Sequence, residues 1–206
     1  MNLPRPSKVV CVGRNYLEHA RELGNELPER PLLFFKPPSA LIGDGETIVL
    51  PRESSRVEHE GEIAVVIGRR GRGISPEGAL EHVAGYAALN DVTARDLQKT
   101  DGQWTRAKGF DSFCPLGAMA PAAGIDPREL EVLCRVNGEL RQQGRAADMA
   151  FDIPTLIAYI SSIMTLEPGD VIATGTPAGV GPLQPGDVVE VEVPGVGTIR
   201  NPVIEA

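Results

Sequence analysis

The sequence predicts an α+β fold dominated by short strands. Runs of β-branched and apolar residues recur at strand length, among them 8–13, 32–36, 63–67 and 188–193. Turn formers are plentiful: 23 glycines and 18 prolines in 206 residues cut the chain into short pieces. Helical spacing is confined to a few segments, 16–23, 75–83 and 151–164. With 42% hydrophobic and 23% charged residues, the chain is long enough to bury one sizeable core, so a single domain over 1–206 is expected.

The first strand is Lys8-Val-Val-Cys-Val-Gly13. Asn15 is the expected cap of a short helix over Tyr16–Leu23, which Gly24 stops. Tyr16, Ala20 and Leu23 form its apolar stripe, while His19 and Glu22, three apart, are neighbours on its surface. A carboxylate beside an imidazole orients the ring and raises its basicity, which suits a general base; a solvated surface pair is the alternative. Pro28–Pro38 is a proline-rich connector around the strand-like Leu32-Leu-Phe-Phe-Lys36, ended by Pro37-Pro38. Asp44-Gly45 turns into a strand over Thr47–Leu50.

The centre of the chain is Val57-Glu-His-Glu-Gly-Glu-Ile-Ala-Val-Val-Ile-Gly68. Read as one buried strand, it puts Glu58, Glu60 and Glu62 on one face and His59 and Ile63 on the other. Adjacent buried carboxylates repel and lose hydration, two costs that a hard divalent cation removes. A solvated edge paired with Arg or Lys is the alternative.

Arg69–Gly73 is a basic turn, and Ser75-Pro76-Glu77 starts a short helix that runs through Val83, with His82 on its polar face. Tyr86–Val92 is a strand with a polar end, and Thr93–Gln98 a helical turn. Asp91, at the strand end, is placed to reach a cation held by Glu60 and Glu62; turn formation by Asn90-Asp91 is the alternative. Arg95 and Gln98 face one way and suit a carboxylate and a polar oxygen or water. Lys108 sits in an uncharged setting, Ala107 to Phe110, that suits either a pocket point charge for an anion or an ordinary surface lysine. Asp126–Glu129 is a capped turn, Glu131–Val136 a strand, and Asn137-Gly138 a hairpin signal. Phe151–Met164 is a core helix with Leu156, Ile157, Ile160 and Met164 inward. Two Pro-Gly-Asp-Val turns, 168–171 and 185–188, each lead into a strand. The glycine-rich loop 174–181 lacks the Gly-Lys-Ser/Thr end of a nucleotide loop. Its N–H groups and Thr176 suit a carboxylate, unless the glycines serve tight turns alone. Val188–Val193 is a half-exposed strand that Pro194–Gly197 turns into Thr198–Arg200.

A net charge of −8 argues against a general nucleic-acid or membrane binder. The apolar runs are too short to span a bilayer, and no charged region followed by an apolar one opens the chain, so no signal peptide is expected. Cys11, Cys114 and Cys134 are widely spaced and odd in number, which fits reduced, buried thiols in a cytoplasmic protein.

Taken together, Cys-Val-Gly-Arg-Asn-Tyr at 11–16, His19 with Glu22, Glu60-x-Glu62, Asn-Asp-Val-Thr-Ala-Arg-Asp-Leu-Gln at 90–98, Lys108-Gly-Phe-Asp and Thr-Gly-Thr-Pro-x-Gly-Val-Gly at 174–181 resemble the fumarylacetoacetate hydrolase family. The resemblance covers Val10 to about Arg200. It implies a mixed β-roll catalytic domain, usually a homodimer, and Mg²⁺ or Mn²⁺ held by three carboxylates that map to Glu60, Glu62 and Asp91. Glu58 matches no family ligand. Arg14, Arg95, Gln98 and Thr176 fall on substrate-binding positions, Lys108 on a catalytic one, and His19 with Glu22 on the water-activating pair. The activity implied is hydrolysis of a C–C bond in an acylpyruvate through a pyruvate enolate. Oxaloacetate decarboxylation, isomerisation or tautomerisation of a hydroxymuconate-type diacid, and a metal-stabilised structural module are the competing readings.

Overall fold

The computed structural model describes residues 5–22, 24 and 28–206, without the side chains of His19 and Ala20. The early strands are β1 (Val9–Gly13), β2 (Leu32–Lys36), β3 (Leu41–Ile42), β4 (Ile48–Leu50), β5 (Val57–His59), β6 (Gly61–Ile67), β7 (Val83–Asn90) and β8 (Thr93–Ala94). The later ones are β9 (Cys114–Pro115), β10 (Ala120–Pro121), β11 (Glu131–Val136), β12 (Glu139–Arg145), β13 (Val171–Ala173), β14 (Gly181–Pro182), β15 (Val188–Val193) and β16 (Gly197–Glu205). The α-helices are α1 (Leu17–Glu22), α2 (Arg95–Thr100), α3 (Thr105–Lys108) and α4 (Ile153–Ile163). None of the described helices is long and apolar enough to cross a membrane.

A six-stranded mixed sheet runs β10-β7-β6-β13-β1-β2 and a five-stranded one β12-β11-β15-β16-β4, with smaller sheets β14-β5-β8 and β3-β9. Strands β6 and β7 face β11, β15 and β16 across the main core. Val10, Val12, Ile63, Val65, Ile67, Tyr86, Ala88 and Ile172 point into that core, packed against Val132, Val191 and Ile199. The alternate residues Val9, Cys11, Ala64, Ala87, Leu89, Val171 and Ala173 fill a second core on the reverse face. The six-stranded sheet is therefore buried on both sides, and Ile63–Ile67 lacks polar alternation for that reason. Cys11, Ala173, Ala64 and Ala87 stand side by side across β1, β13, β6 and β7. This row of small side chains lets the segments around Ala40 and Cys114 lie close against the sheet.

Most expected elements are present, with shifted ends. Asp152 caps α4 by accepting from the Thr155 N–H, and Pro154 sits in its first turn. Asn137 and Gly138 turn the β11–β12 hairpin with φ of 53° and 81°, the left-handed geometry that Asn-Gly favours. The expected helix over 75–83 is a 3₁₀ helix, Pro76–His82, capped by Ser75. Thr93 and Ala94 pair with β5 rather than opening a helix, so α2 begins at Arg95.

Two expectations are corrected. Asn15 does not cap α1. Its amide is buried and spent on Phe151 and Thr174, donating to both carbonyls and accepting from the Phe151 N–H, so it ties three distant segments together. The stretch 57–68 is not one strand. It breaks at Glu60, with β5 in the three-stranded sheet and β6 in the six-stranded one. Of the apolar stripe expected on α1, Tyr16 is buried, whereas Leu23 and the Ala20 side chain lie outside the described residues.

Candidate metal centre and active site

The break at Glu60 builds the site. The Glu60 N–H donates to Asn90 Oδ1 at 2.9 Å, and the Asp91 N–H donates to the Glu60 carbonyl at 2.8 Å. The strand break and the end of β7 thus hold each other, and Glu60 and Asp91 come together from positions 31 apart in sequence. Beyond the end of β13, the loop 174–176 continues alongside β6. Thr174 Oγ1 donates to the Ile63 carbonyl (2.8 Å), the Gly175 N–H to Glu62 Oε2 (2.8 Å), and Thr176 Oγ1 to the Gly61 carbonyl (2.9 Å). Gly175, at φ 104°, adopts a backbone that a side chain would strain.

One oxygen each from Glu60, Glu62 and Asp91 lies within 4.8 Å of the others, and all three residues are buried. Glu60 and Asp91 are paired with cations, whereas Glu62 accepts from the Gly175 N–H. Lys108 Nζ donates to Glu60 Oε2 at 2.8 Å and to Asp91 Oδ2 at 2.7 Å, and it lies 4.8 Å from the centre of the Phe34 ring. Lys36 Nζ donates to Asp91 Oδ1 at 2.6 Å and to the Val92 carbonyl at 2.9 Å. Arg95 bridges Glu58 (2.7 Å) and Glu60, and also donates to Gln98 Oε1. Glu58 is thus an ion-pair partner rather than a member of the triad, as its mismatch with the family ligands implied. The buried set holds Glu58, Glu60, Glu62 and Asp91 against Lys36, Arg95 and Lys108. One formal negative charge is in excess.

Glu62 feels both its burial and the neighbouring carboxylates. Burial first, then Asp91 and Glu60, raise its carboxyl well above the ordinary range, against the Gly175 N–H and Lys108. Burial opposes the Lys108 ammonium, but Asp91 and Glu60 outweigh it and raise its pKa. Arg95 behaves likewise, with Glu60 and Glu58 overcoming burial. A buried, all-oxygen triad with surplus negative charge suits a hard divalent cation. When bound, the cation supplies a Lewis-acidic positive charge that can hold and polarise the oxygens of a 2-oxo acid.

Above the triad lies a cavity of about 420 Å³, lined among others by Arg14, Glu22, Arg95, Gln98, Trp104, Lys108 and Thr176. Arg14 enters from the loop after β1 with φ 58°. Phe34 and Trp104 meet edge to face at 5.2 Å and form the apolar wall. Gln98 Oε1 accepts from Arg95, which leaves its amide nitrogen for an oxygen in the cavity. The Thr176 hydroxyl proton is committed to Gly61, so a donation to substrate from this position falls to the backbone N–H. The Glu22 carboxylate accepts from the Gly179 N–H at 3.1 and 3.2 Å, joining α1 to the glycine-rich loop. The His19 side chain and residues 25–27 lie outside the described residues.

Of the residues expected in the site, Arg14, Glu22, Glu60, Glu62, Asp91, Arg95, Gln98, Lys108 and Thr176 share this cavity. Sequence reasoning missed Lys36 and Gln142. A lysine closing an apolar strand between Phe35 and Pro37 was the available signal for the first. Gln142, in the polar run Arg-Gln-Gln-Gly-Arg, gave none.

Two facing sheets with a buried carboxylate triad under a polar cavity define an enzyme scaffold fit to hold a cation. The chain belongs to the fumarylacetoacetate hydrolase family: residues 8–204 match the family domain described as fumarylacetoacetate (FAA) hydrolase C-terminal. It is 47% identical over 197 residues to a mitochondrial oxaloacetate decarboxylase of Dictyostelium discoideum, covering 93% of this chain and 90% of that protein. It is 46% identical over 199 residues to a mitochondrial oxaloacetate tautomerase of Arabidopsis thaliana, covering 94% and 89%. A crystal structure of fumarylpyruvate hydrolase from Pseudomonas aeruginosa, in complex with Mn²⁺ and pyruvate, superposes with a TM-score of 0.94 at 32% identity, covering all of this chain and 92% of that one.

Proposed function

We propose that the chain is a Mg²⁺- or Mn²⁺-dependent enzyme that takes a small 2-oxo acid through its enolate, with oxaloacetate as the substrate. Loss of CO₂ or keto–enol interconversion is the reaction. The observation that carries the reading is the meeting of Glu60, Glu62 and Asp91 with the buried ammonium of Lys108 at the floor of one cavity. The likeness to an oxaloacetate decarboxylase and an oxaloacetate tautomerase supports the choice of substrate. Lys108 is the group placed to meet negative charge developing on the substrate. Gln98 positions a substrate oxygen, and Arg14, with Lys99 at the rim, suits the second carboxylate of a dicarboxylic acid.

Acylpyruvate hydrolysis is the second reading. Glu22 lining the cavity favours it, as does the likeness to a fumarylpyruvate hydrolase. It requires His19, oriented by Glu22, to take a proton from the water that attacks the distal carbonyl. A side-by-side assay of oxaloacetate, acetylpyruvate and fumarylpyruvate with Mg²⁺ or Mn²⁺, products identified, separates the two. Oxaloacetate consumed fastest supports the first reading; faster acylpyruvate cleavage replaces it with the second. Turnover of none, while Mg²⁺ still raises the melting temperature, leaves a metal-stabilised structural module. Under the second reading His19→Ala slows hydrolysis by about 10²–10⁴-fold and spares metal binding. A homodimer in the cytoplasm completes the proposal, and sedimentation measures its mass.

A further inference from the structure

We propose that Gln142 is a positioning residue for the metal centre, acting through a closed hydrogen-bond ring under the triad. The inference rests on the metal reading above. Gln142 lies on β12, in the other large sheet, and is 1% exposed. Its Oε1 accepts from the Gly61 N–H at 2.9 Å and from His59 Nδ1 at 2.9 Å. Its Nε2 donates to Thr176 Oγ1 at 2.7 Å and to the Pro177 carbonyl at 2.8 Å. A backbone N–H can only donate, which fixes the orientation of this amide and assigns a proton to His59 Nδ1. All four hydrogen bonds of the amide are made.

Thr176 closes the ring. It accepts from Gln142 and donates to the Gly61 carbonyl, so the N–H and the C=O of Gly61 are clamped by the two ends of one side-chain pair. Gly61 is the residue between the two glutamates of the triad. A Cβ there would lie 2.8 Å from Cys134 Cβ, so the peptide sits hard against β11 with no room to shift. Glu60, in neither strand, has its N–H held by Asn90, and Glu62 is held by Gly175. The ring sets the peptide from which both carboxylates leave. Removing it leaves the Gly61 N–H and C=O without these partners and loosens Thr176 and Pro177 from β6 and β12, while Thr174 and Gly175 stay tied to β6. Pro177 also packs against Gly144, so the loop would carry that contact with it.

Such a ring does not touch the cation, yet partners of this kind orient metal ligands, and their loss typically costs about 10–100-fold in affinity. The test measures Mn²⁺ affinity by calorimetry on the whole chain and the melting temperature of the metal-free protein. Gln142→Met and Thr176→Val each break the ring with little change of volume, Gln143→Met serves as the neighbouring control, and Glu62→Gln marks the triad. Each ring variant is expected to weaken Mn²⁺ by about 10–100-fold. The double variant is expected to be no weaker than the worse single one, because both act through the same ring. Gln143→Met is expected to bind as the wild type does. Should Gln142→Met not fold, Thr176→Val alone decides. Unchanged Mn²⁺ affinity in the ring variants, with Glu62→Gln abolishing binding, overturns the inference and leaves the metal reading standing. So do effects that simply add in the double variant. A wild-type chain that takes up no Mn²⁺, or Glu62→Gln that binds undiminished, overturns both.

Discussion

Replacing Lys108 with methionine keeps an unbranched, apolar side chain of similar reach and removes one buried charge. Lys108 Nζ lies 2.8 Å from Glu60 and 2.7 Å from Asp91 and is 1% exposed, so its loss leaves Glu60 with Arg95 and Asp91 with Lys36 as their remaining cations. The excess of one negative charge in the buried set becomes two. Breaking a buried pair from one side costs about 3–5 kcal/mol. For a chain of this length each kcal/mol moves the melting temperature by about 2–4 °C, so the metal-free variant should melt roughly 6–20 °C lower. Mn²⁺ should recover much of that loss, because two positive charges arrive where one was removed. Turnover should not recover: losing a preorganised positive group at the site of developing charge costs about 10²–10³ in kcat. Differential scanning calorimetry with and without Mn²⁺, and steady-state kinetics at saturating metal, read the two effects separately. A variant that melts lower yet retains wild-type kcat would refute the catalytic placement of Lys108 and leave it a structural counter-ion.

Three further outcomes are expected. The raised Glu62 carboxyl keeps its proton in the folded chain above the ordinary glutamate range, so the folded state binds more protons there than the unfolded one. The stability of the metal-free protein should therefore fall as pH rises from that ordinary range through the folded value. Glu62→Gln should remove this contribution, and Mn²⁺ uptake by the wild type should release a proton, read as a buffer-dependent heat. Lys36→Met leaves Asp91 Oδ1 without its ammonium, which should lower metal-free stability by about 3–5 kcal/mol in urea titrations. Finally, burial pushes the Cys114 and Cys134 thiols up to about 12 and also raises that of Cys11. A thiol reagent at neutral pH should therefore label the native chain slowly and all three cysteines promptly in denaturant.

The strand-rich character was legible because β-branched runs and turn residues are local signals. The carboxylates were legible for a different reason: charges inside an apolar run need an explanation wherever the run folds. What the sequence hid was the partner of each charge. Glu58, two residues before Glu60, looked like a third member of the same face, and only the break at Glu60 sends it to Arg56 and Arg95 instead. Asn15 carried every local mark of a helix cap, yet its partners lie about 140–160 residues away, beyond any window of pattern reading. Gln142 stands in a hairpin whose neighbours Arg141 and Gln143 are exposed, and nothing in its own strand distinguishes it. Bonds made across sheets leave no periodic trace along the chain.

The row Cys11–Ala173–Ala64–Ala87 bears on how this enzyme can vary. Glu62 stands two residues from Ala64 on the same side of one rigid strand, so the depth at which the reverse face docks fixes the height of that carboxylate. Adding even a methyl group to this row would tilt the strand like a shim under a plank. Tolerance to mutation should accordingly be lowest at residues that carry no chemistry at all.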